Sequence, residues 1–306
     1  MRRLRNVLSL FDGMSCGQIA LVEEGFTFDN YYASEIDDNA IAHTQLNFPN
    51  TIQLGDVERW REWDIDWSSI DLILAGSPCQ GFSTQGFGRA FDDPRSKLFW
   101  RFVEILEHVR NFNPDVKFLL ENVKMKDEWM LVITKALSVY PVMINSALVS
   151  AQERERYYWS NIRTRHWFGA TPTTDIPQPR DRGLVVRDIA ERGFVTRKAN
   201  RLDIKFKNVV PTYKNGHAIY PTRFRSEGQI NTLDGKAYTL ICSNDPVILR
   251  SFEDDRGCIK LFTETELKRL QTVPNWYEMF GDYITIAKLL GNGWTVDVIR
   301  HILSFM

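Results

Sequence analysis

Cysteine is scarce in this chain of 306 residues: Cys16, Cys79, Cys242 and Cys258 are all there is, and no two are spaced as C-x-x-C. No close metal-ligand pair exists, so no metal is expected. No apolar run is long enough to span a bilayer, and neither an internal repeat nor a low-complexity tract is found. The start, MRRLRNVLSLFDGMSCG, puts basic residues before an apolar stretch, as a signal peptide does. Asp12 interrupts it early and no small-residue cleavage site follows, so it reads as a strand. A cytoplasmic protein with reduced thiols is therefore expected. A strong net charge is missing too: 38 Lys and Arg stand against 39 Asp and Glu, which argues against wholesale electrostatic binding of nucleic acid. A hydrophobic content of 43% is ordinary for a soluble protein, and the length allows one large domain with a smaller one attached.

The distribution of charge is less ordinary. Residues 180–225 hold twelve Arg or Lys and four acids, a local excess of eight that leaves −9 for the rest. Such a split suggests either a basic module for a polyanion or a solvated insertion. Before it, short β-like runs alternate with helix-like ones. NVLSLF (6–11), NYYASE (30–35), TIQLGD (51–56), DLILAGS (71–77) and VKFLLENV (116–123) read as strands, as do VMINSALV (142–149) and RYYWSNI (156–162). The stretches 16–25, 95–112 and 127–137 have helical spacing. Alternation of this kind predicts an α/β fold with a doubly wound, mostly parallel sheet, whose ligands sit outside the carboxyl ends of the strands. The pattern breaks near residue 163, where a linker rich in proline and threonine begins, and a helical period returns from 261. The expected division is a catalytic α/β domain at 1–165, a smaller basic domain at 166–262, and a C-terminal segment at 263–306 that returns to the first.

Several strand ends carry chemistry. FDGMSCG (11–17) joins the first strand to the first helix with two glycines, but it is not the dinucleotide fingerprint G-x-G-x-x-G. Glu35 ends the second strand, where an acid takes ribose hydroxyls, and Asp56 closes the third, where it accepts from an adenine amine. Together they indicate a nucleoside-containing cofactor without requiring a pyrophosphate. In AGSPCQGFSTQGFG (75–88), Cys79 follows the fourth strand at the mouth of a glycine-rich loop. Glu121 ends the fifth strand. Gln152, Arg154 and Arg156 alternate in QERER, so an extended segment points all three to one face. Arginines near a thiol favour its thiolate, and cysteine, acid and arginines at one edge outline a nucleophilic site. Taken singly, Cys79 is equally a packed small residue and Glu121 with Arg156 a structural ion pair.

In their order and intervals these segments resemble the DNA (cytosine-5) methyltransferase family. The resemblance covers nearly all the chain except the basic insertion. It rests on FDGMSCG, Glu35, Asp56, GSPCQGFS, ENV, QERER, ETELKRLQTVP and LLGNGWTV. Two positions depart from the family pattern: Val273 stands where phenylalanine or tyrosine is usual, and Gly293 where serine is. The resemblance implies an S-adenosylmethionine methyltransferase fold with an inserted target-recognition domain, and methylation of cytosine carbon 5 in double-stranded DNA. It implies Cys79 as nucleophile at carbon 6, Glu121 at N3, Arg156 at the base oxygen and Arg154 in support. It also implies a cofactor pocket of Phe11, Asp12, Gly13, Gly17, Glu35, Ile36, Asp56, Pro78, Leu98 and Asn292. The target base has to be flipped out, and the loop after Cys79 then closes as a lid, with Ser83 and Gln85 on the DNA. In 223–245 the candidate DNA contacts are Arg225, Ser226, Gln229, Thr239 and Asn244. A monomer is expected. Open alternatives are a tRNA cytosine methyltransferase, a thymidylate-synthase-like enzyme of free nucleotides, and a DNA-binding relative without catalysis.

Overall fold

The computed structural model describes residues 2–77, 97–191, 212–214, 217–219, 229–240, 251–253 and 259–306. In 212–230 and 251–261 it describes the backbone of the strands alone. The chain divides into two compact units. The first holds Met1–Ile144, Glu155–Gln178 and Val296–Met306; the second holds Asn145–Arg154 and Pro179–Thr295. Residues 166–178 belong to the first unit and 263–295 to the second.

In the first unit, β1 (Arg2–Leu10), β2 (Phe26–Ser34), β3 (Ile52–Gln53), β4 (Ile70–Ala75), β5 (Lys117–Val123), β6 (Val142–Asn145) and β7 (Glu155–Ser160) form one sheet. Its order is β3-β2-β1-β4-β5-β7-β6. The pairs β1–β2, β1–β4, β2–β3 and β4–β5 are parallel, and β7 runs antiparallel to β5. Helices α1 (Cys16–Glu23), α2 (Asp38–Asn47), α3 (Lys97–Phe112) and α4 (Asp127–Leu137) fill the crossovers. The sequence runs that predict strands are apolar on both sides because the sheet is covered on both faces. Leu8, Leu10, Ile73, Ala75, Phe118 and Leu120 pack with Phe99, Phe102, Ile105, Leu106 and Val109 of α3 and with Trp129, Ile133 and Leu137 of α4. Val7, Leu72, Leu74 and Leu119 alternate to the other face and are fully buried as well. Each such side chain contributes roughly 1.5–3 kcal/mol on leaving water.

Two expected strands are shorter than their runs. Of TIQLGD only Ile52 and Gln53 pair, and VMINSALV leaves the sheet at Asn145 for a single 3-10 turn, Ser146–Leu148. In the second unit five short strands form a separate sheet, Thr212–Lys214, His217–Ile219, Gln229–Thr232, Ser251–Glu253 and Ile259–Leu261, in chain order. Helices follow at Glu264–Leu270, capped reciprocally by Thr263 and Glu266, and at Tyr283–Asn292, capped by Asp282.

Candidate active site

Because β1, β2 and β4 are parallel, Leu10, Ser34 and Ala75 stand side by side at one edge, and the loops leaving them share it. The loop after β1 is bent hard: Phe11, Gly13 and Ser15 all have φ between 57° and 58°. For the two non-glycine residues the left-handed region costs about 1–2 kcal/mol each, and surrounding contacts must impose it. The Asp12 N–H donates to Ser34 O at 3.2 Å, and Ser15 N to Asp12 O at 3.1 Å. The Asp12 carboxylate accepts from Ser15 Oγ and from Tyr31 Oη, the latter at 2.9 Å, while Thr44 Oγ1 donates to Ser15 Oγ at 3.1 Å. The residue is half-buried overall, yet its carboxyl group is turned inward, away from water. Burial lifts its pKa from the ordinary 3.8 to about 6, with Glu35 adding to the rise and the hydroxyl donors opposing it.

Glu35 is held by backbone. Its Oε2 accepts from Gly13 N at 2.7 Å, and its Oε1 from Ile36 N and Asp37 N at 2.7 and 2.9 Å. A carboxylate has about four acceptor sites, so three donors fix its orientation and leave capacity for a further one. Ser34 Oγ donates to Gly55 O at 2.7 Å, which seats the Gly55–Asp56 turn beside the end of β2. Asp56 is exposed and uses Oδ1 to cap the next 3-10 turn through Glu58 N. Phe11, Asp12, Gly13, Glu35, Ile36 and Asp56 are thus gathered at one edge. Gly17 lies buried in α1, and Leu98 is half-buried in the first turn of α3. Asn292 belongs to the second unit, and Pro78 lies outside the described residues. The set suits a nucleoside: an aromatic ring, an oriented carboxylate and an exposed carboxylate close three neighbouring strand ends.

Further along the same sheet, Glu121 of β5 and Arg156 of β7 form an ion pair, Nε to Oε1 at 2.9 Å, with side chains only 10% and 14% exposed. The antiparallel register makes this possible by placing Arg156 opposite Val123, two residues beyond Glu121. Asn122 is buried, and its Nδ2 donates to Ser77 Oγ at 3.1 Å. That bond fastens the acid-bearing strand to the chain two residues before Cys79. Cys79 itself, Ser83 and Gln85 lie outside the described residues. Among the described residues no three metal-ligating side chains come together, and no helix is long and apolar enough to cross a membrane.

The three alternating residues of QERER fall in both units. Arg156 belongs to the first unit, Gln152 and Arg154 to the second. Gln152 Oε1 accepts from Leu240 N at 2.6 Å and its Nε2 donates to Leu270 O at 3.1 Å. Arg154, 4% exposed, donates to the carbonyls of Leu240, Gly291 and Gly293 at 3.3, 3.3 and 3.0 Å. Thr239 Oγ1 donates to Glu153 O at 2.5 Å. Gln229 is placed by backbone alone at the start of the strand Gln229–Thr232, and Arg225, Ser226 and Asn244 lie outside the described residues. Sequence reading missed Tyr31, Ser15 and Ser77. Their signal is weak, a hydroxyl three residues after Asp12 and one next to the proline before Cys79.

A mostly parallel seven-stranded sheet with helices in its crossovers and polar loops at one edge defines an S-adenosylmethionine-dependent methyltransferase fold. The chain belongs to the C-5 cytosine-specific DNA methylase family, whose pattern matches residues 5–306. It is 28% identical over 322 aligned residues to the type II methyltransferase M.HaeII of Haemophilus aegyptius, covering 98% of this chain and 92% of that one. It is 29% identical over 231 residues to the orphan methyltransferase M.SPRI of Bacillus phage SPR, covering 70% of this chain and about half (51%) of that one. The crystal structure of the S. pombe Dnmt2 methyltransferase shares the fold with a TM-score of 0.67 at 18% identity, over 99% and 98% of the two chains.

Proposed function

We propose that this chain transfers the methyl group of S-adenosylmethionine to carbon 5 of cytosine in double-stranded DNA, at a specific short sequence, on a base flipped out of the duplex. The observation that carries this reading is the buried Glu121–Arg156 pair, on a strand tied through Asn122 to the chain just before Cys79. The Cys79 thiolate adds to carbon 6 of the ring, and the electron pair of the 5,6 double bond moves to make carbon 5 nucleophilic. Glu121 holds or protonates the ring at N3, which stabilises the charge that develops during attack, and Arg156 holds both Glu121 and the base oxygen. S-Adenosylmethionine, held there, would supply an electrophilic methyl to carbon 5 and leave as S-adenosylhomocysteine. Carbon 5 then loses its proton to solvent and the carbon–sulfur bond to Cys79 breaks, which restores the thiolate and the aromatic ring.

For the cofactor, Phe11 stacks on adenine, Glu35 accepts from the ribose and Asp56 from the adenine amine. Gly13, Gly17, Ile36, Pro78, Leu98 and Asn292 shape the pocket. Asp12 acts through the backbone of its loop, because its carboxyl group is occupied by Tyr31 and Ser15. The second unit, with the basic excess, positions the duplex through phosphates while Arg225, Ser226, Gln229 and Asn244 reach bases, and Ser83 and Gln85 close over them. Thr239 shapes the segment that leads there, since its hydroxyl is donated to Glu153. The protein works in the cytoplasm as a monomer.

The test is transfer of labelled methyl from S-adenosylmethionine to unmethylated duplex DNA and, separately, to unmodified tRNA, with Cys79→Ser and Glu121→Gln as controls. Label is expected in DNA only, as 5-methylcytosine, absent with Cys79→Ser and reduced about 10²–10³-fold with Glu121→Gln. Label confined to tRNA would overturn the substrate and keep the chemistry. Label in neither, with cofactor bound, would leave a DNA-binding relative.

A further inference from the structure

Resting on the reading just given, we propose that Arg154 is a positioning residue that couples the cofactor end of the second unit to its recognition segment. The helix Tyr283–Asn292 ends at Gly293, and its last carbonyls have no partners within the helix. Leu290 O accepts from Gln271 Nε2 at 2.7 Å. Gly291 O and Gly293 O both accept from the Arg154 guanidinium, a cation at the negative end of the helix dipole. Asn292 stands exposed between two buried glycines whose peptides are thus fixed. The nitrogen that reaches Gly291 O also reaches Leu240 O. Leu240 is pinned from its other side by Gln152, and Thr239 before it by Glu153. One planar fork therefore spans the residue assigned to the cofactor and the residue from which the recognition segment departs. Lysine has no such fork and cannot hold both ends.

The experiment uses the full chain with Arg154→Lys, Asn292→Ala and the double variant. Folding is checked by thermal unfolding, and the readouts are the Kd for S-adenosylhomocysteine without DNA, the KM for duplex DNA, and kcat. Arg154→Lys is expected to raise both the Kd and the KM about tenfold, with kcat at saturation changed by about twofold or less. In the Asn292→Ala background its effect on the Kd should shrink to about twofold or less. Arg154→Gln, which keeps N–H donors without the buried charge, must show the same split if the lysine variant does not fold. A fall in kcat with both affinities unchanged would make Arg154 a contact of the base and overturn the proposal. Additive effects of the two substitutions on the Kd would overturn it as well. A wild-type chain that binds no S-adenosylhomocysteine would defeat the cofactor reading instead. Amide exchange then decides for the clamp, since the variant must open 238–240 and 289–293 together, and opening of one or neither refutes it.

Discussion

At the edge of the large sheet, backbone N–H groups converge on a carboxylate; inside the second unit, side chains converge on backbone carbonyls. Gly13, Ile36 and Asp37 all donate to Glu35, which leaves a negative group oriented and half in solvent. Ser150, Gln152, Arg154 and Gln271 do the reverse, donating to the carbonyls of Leu270, Leu240, Gly291, Gly293 and Leu290. The first arrangement presents a charge to a ligand and accepts strain at Phe11 and Ser15 to do so. The second satisfies carbonyls at the ends of two helices and in the chain beyond them, where an orphaned carbonyl costs about 1–3 kcal/mol. A presented group and a braced backbone should respond differently to substitution.

The largest effect is expected at Asp12, the buried group under the presented one. Its folded pKa of about 6 lies above the ordinary 3.8, so the folded state holds the proton more tightly. Its contribution is fully present below pH 4 and is lost as pH rises through 6, a change of about 3 kcal/mol. Denaturant unfolding between pH 4 and 7.5 should show this slope in the wild type and a flatter one in Asp12→Asn. Equal slopes would mean that the carboxyl is hydrated. Next comes Gln152→Ala, which strands Leu240 N while Leu270 O keeps its bond from Ser150 Oγ, and should cost about 2 kcal/mol at any pH in that range. A loss below about half a kilocalorie would mean that water replaces the amide. Smallest is Gly13→Ala. A Cβ there meets nothing within 4 Å, so only the φ of 58° opposes it, for about 1 kcal/mol. An unchanged unfolding midpoint would show that the loop relaxes.

Much of the first unit was legible because its strands are buried on both faces and its helices carry long amphipathic runs. Ile73, Phe118 and the α3 stripe Phe99, Phe102, Ile105, Leu106 and Val109 announce themselves by spacing alone. The acids at strand ends were legible for a related reason: a polar residue closing an apolar run is conspicuous. Charge marks the surface, whereas a unit is made of contacts between distant residues, which charge along the chain does not reveal. Nor could alternation separate Arg154 from Arg156. The two have the same chemistry two positions apart, and their fates depend on which segments pass nearby, Leu240 and Gly291 for one and Glu121 for the other. Asp12 shows the same limit, since its carboxyl turns inward only because Tyr31 of the neighbouring strand lies within reach.

The helix Val296–Leu303 packs against α1, and Arg300 sits within ion-pair distance of Glu23 and Glu24. Arg2 reaches the carbonyls of Leu303 and Ser304. The first unit, whose strand β1 is made before the second unit, is therefore completed by residues made after the whole of 179–295. During synthesis one face of α1 waits uncovered while another unit is translated, at about 5–20 residues per second. That delay leaves the α1 surface open to chaperones or to wrong partners. Slowing translation of 179–295 lengthens that window.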